Sequence, residues 1–190
     1  IFTSGGTESD NLAIFGLGSA EGVPVCSAVE HHAVLDPVEA LGGRVVGVDR
    51  NGAIDPAELR RVLHEGPVRV VSLMVVNNET GVISDLVALA KVVRTSAPDA
   101  VLHTDAVQAF CWTDIAEACA LVDSFSLSAH KFGGPKGVGA LVVRPGVALT
   151  ARQLGGGQER ERRSGTQNVP GIVAMVTAAR LAAEDRVADI

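Results

Sequence analysis

The sequence predicts an α/β fold, a three-layer αβα sandwich built around a mostly parallel, seven-stranded sheet. Short apolar runs alternate with amphipathic helical patterns along the chain, and no linker or internal repeat interrupts them. Near-continuous apolar strands separated by helices are typical of βαβ units whose sheet is covered on both faces. The chain has 190 residues, of which 47% are hydrophobic, which is enough to bury a substantial core. We therefore expect residues 1–190 to form one domain.

The elements follow from the spacing of apolar residues. Strands are predicted, in chain order, at Ile1–Thr3, Val23–Ser27, Arg44–Val48, Val68–Val76, Val101–Thr104, Asp123–Ser126 and Ala140–Val143. Helices are predicted at Glu8–Ser19, Ala33–Leu41, Pro56–His64, Leu86–Thr95 and Val169–Val187. Asp55 can cap the third helix, and Pro56 occupies its first position. Thr7 and Asp10 have capping-box spacing at the start of the first helix.

Composition excludes several classes of function. The net charge is −6, and the aromatic residues are five Phe and one Trp with no Tyr, which argues against a stacking surface for nucleic acid. No apolar stretch reaches the roughly 18 residues of a membrane span, and no signal peptide is visible. The three cysteines, Cys26, Cys111 and Cys119, lack metal-ligand spacing, so a reduced, cytoplasmic setting without a metal is expected.

The two ends of the sequence suggest a fragment. The chain opens on "IFTSGG" without an initiator Met, and it closes within a helical pattern. We therefore expect it to be a piece of a longer protein.

Lysine is rare in this chain, with three lysines against thirteen arginines. Lys131 nevertheless lies within "SAHKFGGPKGVGA", residues 128–140, where a glycine-rich turn follows it. Arginine stays protonated, whereas a lysine amine can lose its proton and form a Schiff base. Lys131 is therefore either a nucleophilic amine or an ordinary loop lysine before a turn.

Ligands bind beyond the carboxyl ends of strands in parallel sheets, so functional residues are expected just after the strands. In "TSGGTESDN", Gly5 and Gly6 precede a helix start and would let backbone N–H groups approach an anion. A plain strand-to-helix turn fits these residues equally well. In "VEHHAVLD", His31 or His32 could face a ligand, cap the helix or be exposed.

Further polar clusters follow later strands. In "VVNNETG", Asn77 and Asn78 could bind a ligand or form a turn. In "VLHTDAVQAF", Asp105 ends an apolar strand and needs a cationic partner or a helix N-terminus, and Gln108 follows it by three residues. The loop "GGGQERERRSGTQN" is basic and carries Ser164 and Thr166, which could bind a ligand. A solvated charged loop without a ligand would have the same composition.

Together the clusters describe one site. An anion cradle, an isolated amine, a strand-end carboxylate and space for a ring would suit a phosphorylated aromatic cation that forms an imine. Pyridoxal 5'-phosphate is such a molecule. The carboxylate would pair with the ring nitrogen, and the amine would bond to the aldehyde.

The ordered motifs resemble a known family. "FTSGGTESDNLAI", "EHHAVLD", "NNETGV", "HTDAVQA", "SLSAHKFGGPKGVGALVV" and "GGGQERERRSGTQN" are similar to segments of NifS/IscS-type cysteine desulfurases. These enzymes belong to the class V aminotransferase branch of fold-type I pyridoxal-phosphate enzymes. The resemblance covers residues 1 to about 175 and implies the large, cofactor-binding domain of such an enzyme.

The resemblance implies a role for each matching residue around the cofactor ring. Lys131 would hold the cofactor as a Schiff base and afterwards move protons at the substrate Cα. Asp105 would pair with the ring nitrogen, Gln108 would bond the phenolic oxygen, and His31 would stack on the ring. Asn78 would lie beside the substrate carboxylate and the ring oxygen.

The resemblance also implies a phosphate site and a dimer. Thr7, Ser128 and His130 would bind the phosphate, with backbone from Gly6. Thr166 would reach the phosphate of a neighbouring subunit, which implies a homodimer.

The sequence departs from the family pattern at a few positions. Gly6 stands where Ala is usual, His32 where Lys is common, and Gln158 where His is frequent. None of the three cysteines matches the family's nucleophile. That cysteine and the carboxylate-binding arginine are expected in a C-terminal small domain beyond this chain, and an N-terminal segment is expected before it.

The implied function is cysteine desulfuration. L-Cysteine would be converted to L-alanine, with persulfide sulfur passed to an acceptor or scaffold protein for iron–sulfur cluster or thio-cofactor synthesis. Two alternatives remain open. The protein could be another class V enzyme, such as a selenocysteine lyase or an aminotransferase, or the chain could be a cofactor-binding domain without activity of its own.

Overall fold

The computed structural model describes residues 1–19 and 21–188. The strands are β1 (Phe2–Thr3), β2 (Val23–Ser27), β3 (Arg44–Val46), β4 (Val68–Ser72), β5 (Val101–Asp105), β6 (Ser124–Ser128) and β7 (Gly139–Val143). The α-helices are α1 (Gly6–Gly16), α2 (His32–Ala40), α3 (Pro56–Leu63), α4 (Leu86–Ser96), α5 (Ile115–Leu121) and α6 (Val169–Ala188). Short 3₁₀ segments span Ala109–Cys111, Ala129–Phe132 and Gln158–Glu161.

The seven strands form one sheet in the order β1-β7-β6-β5-β4-β2-β3. The five neighbouring strands β6, β5, β4, β2 and β3 run parallel to one another. Strand β7 pairs antiparallel with both β6 and β1. The predicted fold class, a mostly parallel seven-stranded sheet covered by helices, is therefore confirmed. The parallel strands β2, β4, β5 and β6 direct their carboxyl ends to the same edge of the sheet.

The hydrophobic core lies on both faces of the sheet because successive strand residues point to opposite sides. Val71 packs in a cluster with Leu89 of α4 and Leu102 of β5. The preceding Val70 belongs to a second cluster, with Leu12 of α1 and Val34 of α2. Full burial of one such side chain contributes roughly 1.5–3 kcal/mol. The sheet is thus held between α1 and α2 on one side and α3 to α5 on the other.

Two helix starts differ in how well the sequence predicted them. Asp55 caps α3 as expected, with its carboxylate accepting the N–H of Ala57. The predicted capping box of α1 is wrong, because Gly5 is the N-cap and the helix begins at Gly6. Gly5 has a φ of 155°, a conformation that glycine adopts readily, and this starts the helix before Thr7.

The structure also corrects some element bounds. Strand β4 ends at Ser72 instead of Val76, although Leu73 and Val75 still donate their N–H groups to β5 carbonyls. Helix α5 was not predicted, because it has seven residues, none of them buried, and therefore no clear apolar face. Among residues 1–19 and 21–188, no helix combines the length and the apolar character needed to cross a bilayer.

Gly139 of β7 lies where the start of α1 packs against the sheet, and this contact leaves no room for a side chain. A Cβ at position 139 would lie 2.7 Å from Gly5 Cα and 2.7 Å from the carbonyl oxygen of Leu127. Both neighbours are backbone, so they cannot rotate away. We expect Gly139→Ala to destabilise the protein by about 1–3 kcal/mol, the usual cost of overpacking, as measured by urea unfolding. Gly47→Ala is the control, because its Cβ meets no atom within 4 Å, and equal stability losses in the two variants would contradict the prediction.

Candidate active site

A cavity opens at the carboxyl ends of the parallel strands. Its lining comes from the start of α1 and from the loops that follow β2, β4, β5 and β6: Gly6, Thr7, Asp10, His31, Met74, Asn78, Asp105, Val107, Gln108, Ser128, His130 and Lys131. The structure therefore brings nine of the ten predicted site residues to one cavity.

The tenth predicted residue, Thr166, lies elsewhere in this chain. It borders a separate groove together with Thr3 and Gly137. Its assignment was to a neighbouring subunit's phosphate, and that assignment stays a prediction. The loop before it is fixed internally, since Ser164 Oγ donates to the Gly156 carbonyl and the Gly165 N–H donates to Gln158 Oε1.

One end of the cavity is a set of anion-binding groups around Gly6. A Cβ at Gly6 would lie 2.8 Å from Val107 Cγ2 and 3.4 Å from Ser128 Cβ, so the start of α1 packs closely against both residues. Ser128 Oγ and His130 Nδ1 are 3.0 Å apart and share a hydrogen bond. The exposed hydroxyl of Thr7 borders the same space. Hydroxyls, an imidazole and the N-terminus of an 11-residue helix are chemically suited to a phosphate.

His31 caps α2 and borders the cavity at the same time. Its Nδ1 accepts the N–H of Ala33 at 3.0 Å, so the proton of the neutral ring is on Nε2. The hydrogen bond also fixes the direction of the ring. His32 is exposed and pairs with Asp36 at 2.9 Å on the surface of α2. Of the two histidines, only His31 borders the cavity.

The two asparagines after β4 have different roles. Asn77 is buried and forms a turn, because its Oδ1 accepts the N–H groups of Glu79 and Thr80 and its Nδ2 donates to the Val29 carbonyl. Asn78 is exposed and borders the cavity. The turn interpretation is thus confirmed for Asn77, and ligand binding by Asn78 stays a prediction.

Asp105 ends β5 and points a buried carboxyl toward the cavity region. Its Oδ1 accepts the N–H of Val107 at 2.8 Å. Burial, followed by the negative charge of Asp10, raises the pKa of Asp105 to about 7. The N–H of Val107 and the nearby Lys131 act in the opposite direction. A cation placed in the cavity beside this carboxyl would favour its charged form.

Lys131 lies in the 3₁₀ segment that follows β6, with its side chain exposed at the cavity. Its neighbour Phe132 is buried and contacts Phe110 with ring centroids 4.6 Å apart. The chain then reverses at Gly133, whose φ is 81°. Lys131 thus precedes a turn, which the packing of Phe132 holds at the cavity, and its role as a nucleophilic amine stays a prediction.

Sequence reasoning missed a buried polar group beside the cavity. Asp10 is 1% exposed, and its Oδ1 lies 3.5 Å from Nε2 of the fully buried His103. Burial raises the pKa of Asp10 to about 7 and lowers the pKa of His103 to about 4. His103 precedes Asp105 by two residues on β5, and that spacing was the available signal.

Glu30 is a second buried carboxyl that the sequence did not reveal. Its Oε1 accepts the N–H of Met74 at 2.7 Å and the hydroxyl of Ser27 at 2.9 Å, and Ser72 bonds its Oε2. These bonds tie the loop after β2 to the end of β4. Glu30 thereby positions the loop that carries the adjacent His31.

Glu30 should make stability dependent on pH. Burial, the largest cause, raises the pKa of Glu30 to about 8 from its ordinary value of 4.5. The folded chain therefore holds a proton that the unfolded chain releases above pH 4.5, and this contribution to stability is lost as the pH rises through about 8. We expect the stability of the cofactor-free protein to fall between pH 5 and pH 8, with Glu30 contributing up to about 1.4 kcal/mol per pH unit.

The test compares Glu30→Gln with the parent by urea unfolding across this pH range. The variant should show a shallower decline, because glutamine does not titrate. Asp10 and Asp105 act with the same sign as Glu30, and His103 acts with the opposite sign below pH 6.5, but none of these groups is altered by the substitution. Glu117→Gln, on the exposed surface of α5, is the control. Parallel pH profiles for parent and Glu30→Gln would show that the prediction is wrong.

None of the three cysteines borders the cavity as the structure describes it. Cys26 is buried in β2, and burial raises its pKa. Burial likewise raises the pKa of Cys119 to about 11. Cys111 donates its thiol to the Lys131 carbonyl at 3.5 Å. Over the described residues, no group of three or more His, Cys, Asp or Glu side chains could hold a metal ion.

Comparison with known proteins identifies similar chains. The family model Aminotransferase class-V matches residues 1–190. The cysteine desulfurase IscS of Dictyoglomus turgidum is 44% identical, over 96% of this chain and 48% of the relative. A solved NifS-like protein superposes with a TM-score of 0.91 at 37% identity, covering 98% of this chain and 53% of its own. The structure titled "SspA in complex with cysteine" has a TM-score of 0.84 at 34% identity, covering 95% and 54%. This chain spans about half the length of the curated relatives it matches.

Proposed function

The chain belongs to the class V aminotransferase family, and we propose that it is the cofactor-binding part of a pyridoxal-phosphate-dependent cysteine desulfurase. One observation carries the proposal: an amine, a strand-end carboxyl and an anion cradle border a single cavity. The similarity to proteins named cysteine desulfurase supports the choice of reaction within the family.

The residues present fit pyridoxal phosphate. Ser128, His130 and Thr7 would bind its phosphate at the end of the cavity beside Gly6 and the start of α1. Lys131 offers the amine that bonds to its aldehyde. This donor set matches a phosphate ester and an aldehyde in one molecule.

Other residues would orient the ring. Asp105 would face the ring nitrogen, and Gln108 would bond the phenolic oxygen. His31, held by the N–H of Ala33, would lie against the ring face. Asn78 would lie beside the substrate carboxylate. When bound, pyridoxal phosphate withdraws electrons from the substrate Cα through its ring.

The proposed reaction converts L-cysteine and a protein thiol to L-alanine and a protein persulfide. The carbon–sulfur bond of the substrate breaks, a sulfur–sulfur bond forms on the acceptor cysteine, and Cβ receives a proton. The amine of Lys131, free once substrate has replaced it, would carry protons at Cα. The acceptor cysteine would lie outside residues 1–190, because neither Cys26, Cys111 nor Cys119 borders the cavity.

The wider role is proposed from the same relationship. Thr166 would complete a phosphate site across a homodimer. The persulfide sulfur would pass to an acceptor or scaffold protein for iron–sulfur cluster or thio-cofactor synthesis, in the cytoplasm.

The experiment is an assay of the full-length protein with L-cysteine, pyridoxal phosphate and dithiothreitol. We expect alanine and sulfide in equal amounts, because the reductant releases the persulfide sulfur. A protein that binds the cofactor but transfers the amino group without releasing sulfide would be an aminotransferase. A strong preference for L-selenocysteine would instead identify a selenocysteine lyase.

A further inference from the structure

Asp10 has no role in the proposed reaction, yet it borders the cavity and is almost completely buried. Its Oδ1 has no hydrogen-bond partner among the residues that the structure describes. An unpaired carboxylate in such a place is costly, whereas a protonated carboxyl is less so and can act as a donor. The position of Asp10 in the second turn of α1 therefore calls for a chemical explanation.

The surroundings of Asp10 offer it an acceptor. Nε2 of His103 lies 3.5 Å from Asp10 Oδ1, and the ring is fully buried. On its other side, Nδ1 of His103 lies 3.3 Å from Ser124 Oγ, and Ser126 Oγ lies 3.4 Å from Nε2. His103 and Asp105 are separated by two positions on β5, so both side chains point to the same face of the sheet.

Two carboxyl groups in one buried cluster do not readily ionise together. Asp105 is the better site for the negative charge, because it accepts the N–H of Val107 and has Lys131 as a cationic neighbour. Asp10 has neither a backbone N–H donor nor a cationic neighbour of this kind in the described structure, and the hydroxyl of Ser126 only partly offsets the effect of burial on its pKa. It faces a histidine that burial keeps neutral, since the pKa of His103 is lowered to about 4.

We propose that Asp10 is the protonated member of this pair and donates its proton to Nε2 of His103, which confines the buried negative charge to Asp105. Asp10 is then a positioning residue that acts through His103. Nδ1 of His103 carries the ring proton and donates to Ser124. The functional consequence rests on the proposed function, in which Asp105 faces the ring nitrogen of the cofactor.

Several other titratable groups face this cluster and enter any pH profile of the site. They are His103 and Asp105 from β5, His130 and Lys131 after β6, His31 before α2, and Glu30 after β2. The test therefore reads the proton position directly at His103.

The first measurement is nitrogen-15 NMR of the histidine rings in the full-length, cofactor-free protein at pH 6. The His103 signals are identified by their loss in His103→Gln. We expect a neutral ring with its proton on Nδ1, and the same tautomer in Asp10→Asn, whose amide can also donate to Nε2. A ring protonated on Nε2, or an imidazolium, would mean that Asp10 does not donate to Nε2 and would overturn the proposal.

The second measurement is titration with pyridoxal phosphate, followed by absorbance across pH. Asp10→Leu removes the carboxyl donor to Nε2 and leaves only the more weakly placed Ser126 hydroxyl, 3.4 Å away, beside it among the described residues. We expect this variant to weaken cofactor affinity by at least about fivefold. Asp10→Asn should restore most of that affinity and keep the midpoint of the absorbance change, because the asparagine is neutral like the protonated aspartic acid. A shifted midpoint in Asp10→Asn would contradict the proposal, because it would show that a charge had been removed.

The two measurements separate this inference from the proposed function. Failure of the parent protein to bind pyridoxal phosphate would refute the proposed function, while the His103 tautomer would still decide where the proton lies. Cofactor bound to Lys131 together with a proton on Nε2 of His103 would refute this inference alone.

Discussion

Replacement of Lys131 by alanine is expected to abolish the covalent attachment of pyridoxal phosphate. The side chain is exposed at the cavity, so its loss removes the amine without removing packing. The phosphate-binding groups remain, and the cofactor should still bind noncovalently. The rate of turnover should fall by about 10²- to 10⁴-fold, which is the usual contribution of one proton-transferring group. The measurement is borohydride reduction followed by peptide mapping, together with the rate of alanine formation.

Two further variants make this result specific. Lys131→Arg keeps the positive charge but has no amine that can form an imine, so it should fail in the same way. Lys136→Ala removes the other lysine of the same loop, also exposed, and should retain both the borohydride label and turnover. A label that persists in Lys131→Ala, or that maps to Lys136, would show that the assignment of the amine is wrong.

The site could be predicted largely because strand ends are visible in the sequence. Lys131, Asp105 and Asn78 each follow an apolar run, and a parallel sheet brings such positions to one edge. The same rule places His31, after β2, at the cavity. The difference from His32 comes from α2, because His32 begins that helix and pairs with Asp36 on its surface.

The remainder of the site depends on packing that a sequence pattern does not encode. Asp10 was interpreted as part of a capping box because of its spacing from Thr7, but Gly5 begins the helix earlier and turns Asp10 into the interior. Glu30 was overlooked beside the two histidines, because acidic residues are rarely buried. Its burial depends on Ser72 and Met74, more than forty positions away in the chain.

Asp105→Asn is expected to lower catalysis more than cofactor binding. The side chains that bind the phosphate and the bond to Lys131 do not involve Asp105, so the affinity for pyridoxal phosphate should change little. An amide cannot stabilise a protonated ring nitrogen as a carboxylate does, and a hydrogen bond to a charged group contributes about 1.5–3 kcal/mol. We therefore expect kcat to fall by about 10- to 100-fold, measured as alanine formation at saturating L-cysteine and cofactor.

A matched control separates loss of charge at the ring from loss of stability. Asp123 is a carboxyl that pairs with Arg94 through two bonds of 2.8 and 2.9 Å and does not border the cavity. Asp123→Asn should lower stability while leaving kcat per bound cofactor unchanged. Asp105→Asn should instead lower kcat and, near pH 8, raise the stability of the cofactor-free protein. Burial makes the ionised carboxyl of Asp105 unfavourable there, and the amide removes that penalty. If kcat survives in Asp105→Asn, or falls equally in both variants, the carboxyl does not act on the ring nitrogen.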